Sequence, residues 1–282
     1  MEKYLVIDIN QQRKTIIKFM NITMQKIIIY ICLTSLFVFL SCTPTQTKVY
    51  KQCKEQVETI NRMRLYATYL VPVDSLGQYM NDEVISEDMY HHCEVVANVN
   101  PNQAHVLAIL YFDKAGKVRK SIEWWSDGGD LRNVSYYNNQ GNVIYAIYNY
   151  YDNNCGKLYI NDSKHYIEYP FSQPDNKHKN IFPALNISEL ASEYKVHLQM
   201  PINCSTVSFK SIQEGDKAFL CTENIYATPK GTNIKNENAS VTWFGKLIRI
   251  DSIANDWCRV TELLGNPIGY VQVDSIELFQ RD

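Results

Sequence analysis

Six short runs of aromatic and β-branched residues, separated by turn-forming residues, constrain the fold more than any other feature of this chain. The runs, between His105 and Tyr169, are HVLAILYF, VRKSIEWW, RNVSYY, NVIYAIYNYY, KLYIN and KHYIEY, and their connections are DKAGK, SDGGDL, NNQG, DNNCG and NDS. Val, Ile, Tyr, Phe and Trp favour strands, whereas Gly and Asn adopt positive φ cheaply in tight turns. The pattern predicts an antiparallel β-meander domain over residues 101–200.

The hairpins of this region also repeat. YFDKAGKVRKS begins at Tyr111, YYNNQGNVIYA at Tyr136 and a degraded YINDSKHYIEY at Tyr159, with offsets of 25 and 23 residues. A period of that length corresponds to one hairpin per unit. The three segments resemble the hairpin units of YD-like repeat proteins, and the resemblance implies a single antiparallel sheet.

Tyrosine is concentrated in the same region, since 10 of the 20 tyrosines lie between Tyr111 and Tyr169. We interpret them mainly as cross-strand pairs and core. The alternative is an aromatic platform for sugar rings or a partner, formed by Trp124, Trp125, Tyr148 and Tyr150.

The amino-terminal region has the features of a targeting signal. Ile27 to Leu40 is a run of 14 uncharged residues that follows Lys26 and precedes Ser41-Cys42. This length is short for a membrane span and typical of a signal-peptide core. The segment resembles the signal of bacterial lipoproteins, in the looser Bacteroidetes-like form, which implies cleavage after Ser41 and a lipid on Cys42. The alternative is an uncleaved anchor in which Cys42 is an ordinary thiol.

We therefore predict a signal peptide over residues 1–41. Residues 1–23 are an over-long leader or precede the true start, because MQKIIIY from Met24 is already a complete positively charged start. Surface-exported lipoproteins of the Bacteroidetes-like type tend to carry acidic residues just after the lipidated cysteine. The short polar tether after Cys42 lacks an acidic cluster, so the resemblance implies an outer-membrane lipoprotein that faces the periplasm.

Charge argues against nucleic acid as a partner. The chain of 282 residues has a net charge of −2, and residues 1–41 carry five basic and two acidic side chains, so that loss of this +3 leaves −5. Nucleic-acid binding requires several phosphates to be neutralised together, and the chain has no Lys/Arg cluster.

The cysteines leave two alternatives open. Of eight, Cys32 lies in the signal and Cys42 is the lipidation site, which leaves six. In an oxidising envelope compartment these could form up to three disulfides, or several could be buried free thiols. No CxxC spacing occurs, so we expect no metal knuckle.

Flanking the meander, the chain is less regular. Val57, Ile60 and Leu65 have roughly helical spacing within Lys48 to Leu70, which predicts one amphipathic helix ended by Pro72, so that residues 42–100 form a tether and helix. ISELASEYKVHLQM, from Ile187, predicts a second, short helix. A further domain is predicted over residues 213–282.

The carboxy-terminal segments resemble a bacterial SH3-like (SH3b) domain. They are NIYATP from Asn224, GKLIRI from Gly245, WCRV from Trp257 and GYV from Gly269. The resemblance, over roughly residues 214–280, implies a small barrel of five strands. Tyr226 and Thr228 replace the usual Arg and Gly of the first loop.

This resemblance also implies binding. Such modules recognise peptidoglycan peptides or protein segments, and an aromatic groove suits extended ligands. The candidate ligand-binding residues are Tyr226, Trp243, Trp257 and Tyr270, although Trp257 and Tyr270 could equally be barrel core. Cys221 and Cys258 would lie on two strands of the barrel, where a disulfide between them is a candidate.

Motifs of catalysis are missing from the sequence. GxSxG, HExxH and GxxxxGK[ST] do not occur, and we expect no cofactor and no catalytic residue. Cys93, behind His91-His92, is the one Cys/His cluster and the basis of an alternative, a cysteine-dependent enzyme.

The sequence thus predicts a mainly β, non-catalytic, membrane-anchored lipoprotein that binds peptidoglycan or an envelope protein. An immunity or inhibitor lipoprotein, acting against a toxin or wall hydrolase, is a further alternative.

Overall fold

Fourteen strands and two α-helices make up the described part of the protein, which is mainly β as predicted. The computed structural model describes residues 48–81, 91–100, 104–124, 131–150, 154–161, 164–168, 186–209, 211–231 and 243–280. The predicted signal peptide, Cys42 and Trp125 lie outside these residues. Among the described helices, none combines the length and apolar character needed to cross a membrane.

The elements follow one another in a simple order. Helix α1 covers residues 48–61, and α2 covers Ile187–Glu193. The strands are β1 Leu65–Val73, β2 His92–Val96, β3 Ala108–Phe112, β4 Val118–Trp124, β5 Leu131–Tyr137, β6 Val143–Tyr150, β7 Asn154–Asn161, β8 Lys164–Glu168, β9 Ser205–Val207, β10 Lys217–Leu220, β11 Leu247–Ala254, β12 Trp257–Glu262, β13 Pro267–Gln272 and β14 Ile276–Gln280.

The meander is a nine-stranded antiparallel sheet. Its order is β2-β1-β3-β4-β5-β6-β7-β8, and β9 also pairs with β1. Because β3 occupies one edge of β1, β9 and β2 lie end to end along the other edge. From β3 to β8 each strand pairs with the next, as expected for consecutive hairpins.

Two of the repeated hairpins have the same turn. Asp113 Oδ1 accepts hydrogen bonds from the amides of Ala115 and Lys117, and Asn138 Oδ1 accepts them from Gln140 and Asn142. Each turn has a glycine in the left-handed region, Gly116 at φ 74° and Gly141 at φ 82°. An Asx side chain and a glycine therefore define the turn locally.

A further copy of this turn, which the repeat search missed, follows β1. Asp74 Oδ1 accepts from Leu76 and Gln78, and Gly77 has φ 78°. The third predicted unit is different, since Asn161 pairs with Lys164 and the connection is only two residues long.

Both faces of the meander are buried. Ile109, Tyr111 and Ile147 lie in one core cluster, and Leu110 and Tyr148 lie in a second that also includes Leu190 of α2. Alternate residues of a strand point to opposite faces, so a strand covered on both faces has no polar side. This burial explains why NVIYAIYNYY shows no alternation of apolar and polar residues.

The carboxy-terminal strands form a second antiparallel sheet of five strands in the order β13-β12-β11-β10-β14. A single 3-10 turn, Val273–Ser275, separates the last two strands. The pairing register shifts at three points, where β11, β13 and β14 each contain one extra residue.

The two sheets share one core. Residues 49–282 form one compact unit, and the first core cluster includes Tyr111 and Ile147 of the meander together with Phe219 and Leu278 of the second sheet. Hydrogen bonds also cross between the sheets. The Tyr111 hydroxyl donates to the Phe279 carbonyl at 2.7 Å, and the Leu131 amide donates to the Gly245 carbonyl at 2.8 Å.

The meander extends beyond the predicted range of residues 101–200, because β1, β2 and β9 also belong to its sheet. The amino-terminal helix is shorter than predicted. The helix ends at residue 61, and Leu65 begins β1. Pro72 lies inside β1 opposite Cys93 rather than ending a helix. The sequence LYATYLV is rich in aromatic and β-branched residues, and pairing with β3 and β9 outweighs the weak helical spacing.

The candidate disulfide between Cys221 and Cys258 is not present, and the six cysteines among the described residues are free thiols. Phe219, two residues before Cys221, pairs with Leu247, whereas Cys258 pairs with Ile253, six residues further along β11. Strand β11 also lies between the two cysteine-bearing segments. Two strand spacings of about 4.8 Å exceed the Cα separation that a disulfide can bridge.

Candidate functional site

Three of the four aromatic residues predicted for ligand binding lie together on the second sheet. Trp257 begins β12 after a turn in which Asn255 has φ 54°. The Tyr226 ring meets the Trp257 ring edge to face, with centroids 5.1 Å apart and planes at 88°. Reciprocal backbone hydrogen bonds of 2.9 and 2.8 Å join Tyr226 to Tyr270 of β13. We call these three residues the aromatic cluster.

Exposure differs within the aromatic cluster. Trp257 is 9% exposed, which makes it part of the core, whereas Tyr226 and Tyr270 are half-buried. Trp243 is not part of this group, because it packs against the shared core beside Phe244. The aromatic cluster can therefore offer two tyrosine rings, supported by one tryptophan, to a ligand.

Of the alternative platform in the meander, the structure describes one side chain, that of Tyr148. The Tyr148 side chain is buried, at 2% exposure, and belongs to the core that holds α2. Trp125 and the side chains of Trp124 and Tyr150 lie outside the described part of the molecule.

Cys93 lies in an inert position. Strand alternation buries Cys93 at 2% exposure and directs His92 outward, where its Nε2 lies 3.6 Å from Glu94 Oε1. Burial raises the pKa of the Cys93 thiol to about 12, although Lys195 opposes the shift. A nucleophilic cysteine needs a lowered pKa and access to solvent, and Cys93 has neither.

Sequence reasoning missed a cleft between the layers. It has a volume of about 480 Å³ and lies between α1, strands β6 and β7, and the second sheet. Pockets of 300 to 1,000 Å³ are typical of small-ligand sites. Among the described residues, no group of three His, Cys, Asp or Glu side chains is placed to hold a metal ion, in this cleft or elsewhere.

One wall of this interlayer cleft is a row of tyrosines. The Tyr50 and Tyr159 ring centroids lie 4.9 Å apart, and those of Tyr159 and Tyr145 lie 5.0 Å apart. Tyr50 and Tyr145 are half-buried, and Tyr159 between them is 3% exposed. Tyr159 thus supports two rings whose surfaces reach the cleft.

The charges of the cleft are only partly balanced. Lys54 Nζ lies 3.7 Å from Asp274 Oδ2 at the mouth and 4.8 Å from the Tyr50 ring centroid. Lys157 also lines the cleft, but it makes no ion pair or hydrogen bond through its side chain with any described residue. Lys157 is therefore a cleft lysine without a counterion among the described side chains; Glu168, its register partner on β8, has a side chain outside the described part of the molecule.

The floor of the cleft is a buried polar cluster. Glu277 Oε1 accepts from Lys120 Nζ and from the Tyr136 hydroxyl, both at 2.5 Å. Burial lowers the pKa of the Lys120 ammonium, and the Glu277 carboxylate opposes this shift. Asn61 of α1 lies 3.1 Å from the same hydroxyl, so the cluster ties α1 and both sheets together.

The cleft had no signal in the sequence, because its residues come from segments as distant as Tyr50 and Glu277. Alternation along β7 puts Lys157 and Tyr159 on one face of the strand, but it does not indicate a cleft. Comparison of the chain with protein-family models, with curated proteins and with solved structures finds no match.

Proposed function

We propose that this chain is a non-catalytic, lipid-anchored envelope protein that binds peptidoglycan or an envelope protein through the aromatic cluster. The observation that carries the proposal is the contact between Tyr226, Trp257 and Tyr270, three residues expected to bind on the SH3-like resemblance. The five-stranded second sheet supports the same resemblance.

The aromatic cluster has suitable chemistry for an extended ligand. Tyrosine combines an apolar ring with a hydroxyl that donates and accepts hydrogen bonds, and it loses little conformational entropy on binding. Half-burial holds the Tyr226 and Tyr270 rings in place before a ligand arrives.

The anchor follows from the lipoprotein-like signal. Cys42 would carry the lipid, and the compact unit begins at Val49. Seven residues span at most about 25 Å when extended. A tether of this length would keep the binding surface near the membrane, which suits an outer-membrane protein that faces the periplasm.

Co-sedimentation of the chain with purified peptidoglycan sacculi tests the proposal. Point variants are preferable to a truncation after Gln213, because removal of the second sheet would expose half of the shared core. We expect the unaltered chain to sediment, and Tyr226→Ala with Tyr270→Ala to stay in solution. Tyr79→Ala is the matched control, since Tyr79 is 45% exposed and lies after β1 on the meander.

Failure of the unaltered chain to sediment would exclude the cell wall as the ligand. A cross-linked envelope protein, lost in the Tyr226→Ala and Tyr270→Ala variant and kept in Tyr79→Ala, would then identify the other partner class. Sedimentation that is equal for all three chains would contradict a role for the aromatic cluster.

A further inference from the structure

We propose that the interlayer cleft is a second binding site, and that its ligand is a sugar ring carrying a carboxylate. This site lies between α1, β7 and the second sheet. It uses none of the residues of the aromatic cluster, so the proposal does not depend on the function proposed above.

The tyrosine wall indicates a ring. Tyr50 and Tyr145 present partly exposed rings on either side of the buried Tyr159. Flat aromatic surfaces favour ligands with a flat apolar face, such as the C–H face of a pyranose. The volume of about 480 Å³ leaves room for one or two such rings.

Polar side chains opposite the wall favour a sugar over a purely aromatic ligand. Thr222, Asn224, Gln272 and Ser275 all line the cleft. Their hydroxyl and amide groups can both donate and accept hydrogen bonds. A sugar has several hydroxyls that can form further hydrogen bonds with such groups, whereas an aromatic hydrocarbon has none.

Lys157 indicates an anionic substituent. This residue lines the cleft without an ion pair to any described side chain, while Lys54 is held by Asp274 and Lys120 by Glu277. Three carboxylates, those of Glu58, Asp274 and Glu277, also line the cleft. Since like charges repel, one free lysine suits a singly charged carboxylate better than a doubly charged phosphate.

Calorimetric titration of the full chain, purified in detergent, tests this assignment. The probes are the hyaluronan disaccharide, in which glucuronic acid is linked to N-acetylglucosamine, its methyl ester, and glucose 6-phosphate. We expect the acid to bind about tenfold more tightly than the ester, the ratio typical of one charge-assisted hydrogen bond. The phosphate should bind more weakly than the acid.

Two variants assign the interactions. Lys157→Gln keeps most of the length of the side chain and removes the charge, so the affinity of the acid should fall to that of the ester while the affinity of the ester is unchanged. Tyr50→Leu removes the ring, so it should weaken the acid and the ester by the same factor. Lys114→Gln, at an exposed turn between β3 and β4, should change neither.

Four results would each overturn the proposal. The acid and the ester could bind with equal affinity, or glucose 6-phosphate could bind more tightly than the acid. The preference for the acid could survive Lys157→Gln, or no binding could be detected at millimolar concentrations. Because sacculi sedimentation depends on Tyr226 and Tyr270, failure here leaves that test unaffected.

Discussion

The Lys120 ammonium lies 2.5 Å from the Glu277 carboxylate and joins β4 of the meander to β14 of the second sheet. The Lys120 side chain is fully buried and that of Glu277 is 11% exposed. Lys120 Nζ also lies 3.8 Å from the centroid of the Phe209 ring. A buried ion pair with additional hydrogen bonds makes each partner depend on the other.

Lys120→Met should therefore destabilise the protein by about 3 to 5 kcal/mol, because it leaves the Glu277 carboxylate buried without a counterion. Urea unfolding followed by tryptophan fluorescence measures this free energy. The double variant Lys120→Met with Glu277→Leu should recover most of the loss, since an apolar pair leaves no charge unpaired. An unfolding free energy of Lys120→Met equal to that of the unaltered chain would contradict a stabilising role for this ion pair.

Glu123, on the other face of the meander, should make stability depend on pH. Burial raises the pKa of this carboxyl above 4.5, while Arg132, the Tyr194 hydroxyl and Asn133 oppose the shift. A raised pKa means that the folded protein binds more protons than the unfolded chain between the two pKa values. This contribution to stability is complete below the unfolded pKa and is lost as the pH rises through the folded pKa.

The expected observation is that the unfolding free energy of the unaltered chain falls relative to that of Glu123→Gln as the pH rises from 4 to 7. Urea titrations at four pH values in this range measure the difference. A constant difference would show that the pKa of Glu123 is the same in the folded and the unfolded protein, and a rise in the relative stability of the unaltered chain would show that folding lowers this pKa; either result would contradict the prediction.

The cysteines should differ sharply in reactivity. Burial raises the pKa of Cys53 and Cys258 to about 11, and of Cys155 and Cys221 to about 12. Cys204, which is only partly buried, should be the first of the described thiols to react with iodoacetamide at pH 8.

Peptide mapping by mass spectrometry, before and after denaturation, identifies the alkylated positions. The five buried thiols, Cys93 among them, should be alkylated only after unfolding. Alkylation of Cys93 by iodoacetamide in the folded protein would support the alternative function, a cysteine-dependent enzyme.

Two glycines in matching turns should respond differently to substitution. Gly116→Ala should cost about 1 to 2 kcal/mol from the left-handed backbone alone, because a Cβ there meets nothing within 4 Å. Gly141→Ala should cost more, because its Cβ would lie 3.3 Å from the Cβ of Ile187 in α2. Thermal unfolding of the two variants compares them directly, and equal losses would contradict the contact with α2.

The turns of the meander were predictable because each is specified within five residues. Asp113 with Gly116, and Asn138 with Gly141, satisfy the backbone amides of their own turn, so no distant contact is needed. The strand character of the aromatic runs is equally local. The SH3-like resemblance named Tyr226, Trp257 and Tyr270 as candidates, and these three residues lie together in the structure, whereas the fourth candidate, Trp243, lies apart from them.

Strand pairing beyond neighbouring hairpins was not predictable in this way. The segment from Leu65 becomes a strand because β3 and β9 pair with it. Likewise, Cys221 and Cys258 are kept apart by the register of β11 with its two neighbours.

By itself, the sequence determined the mainly β fold and the local turns, since these depend on side-chain preference and chain stiffness over a few residues. Only the tertiary structure decided that the two sheets share a core and which lysines are neutralised. It also created the interlayer cleft. Tyr50, Lys157 and Glu277 are far apart in the chain, and the burial of apolar surface between the sheets brings them to one site.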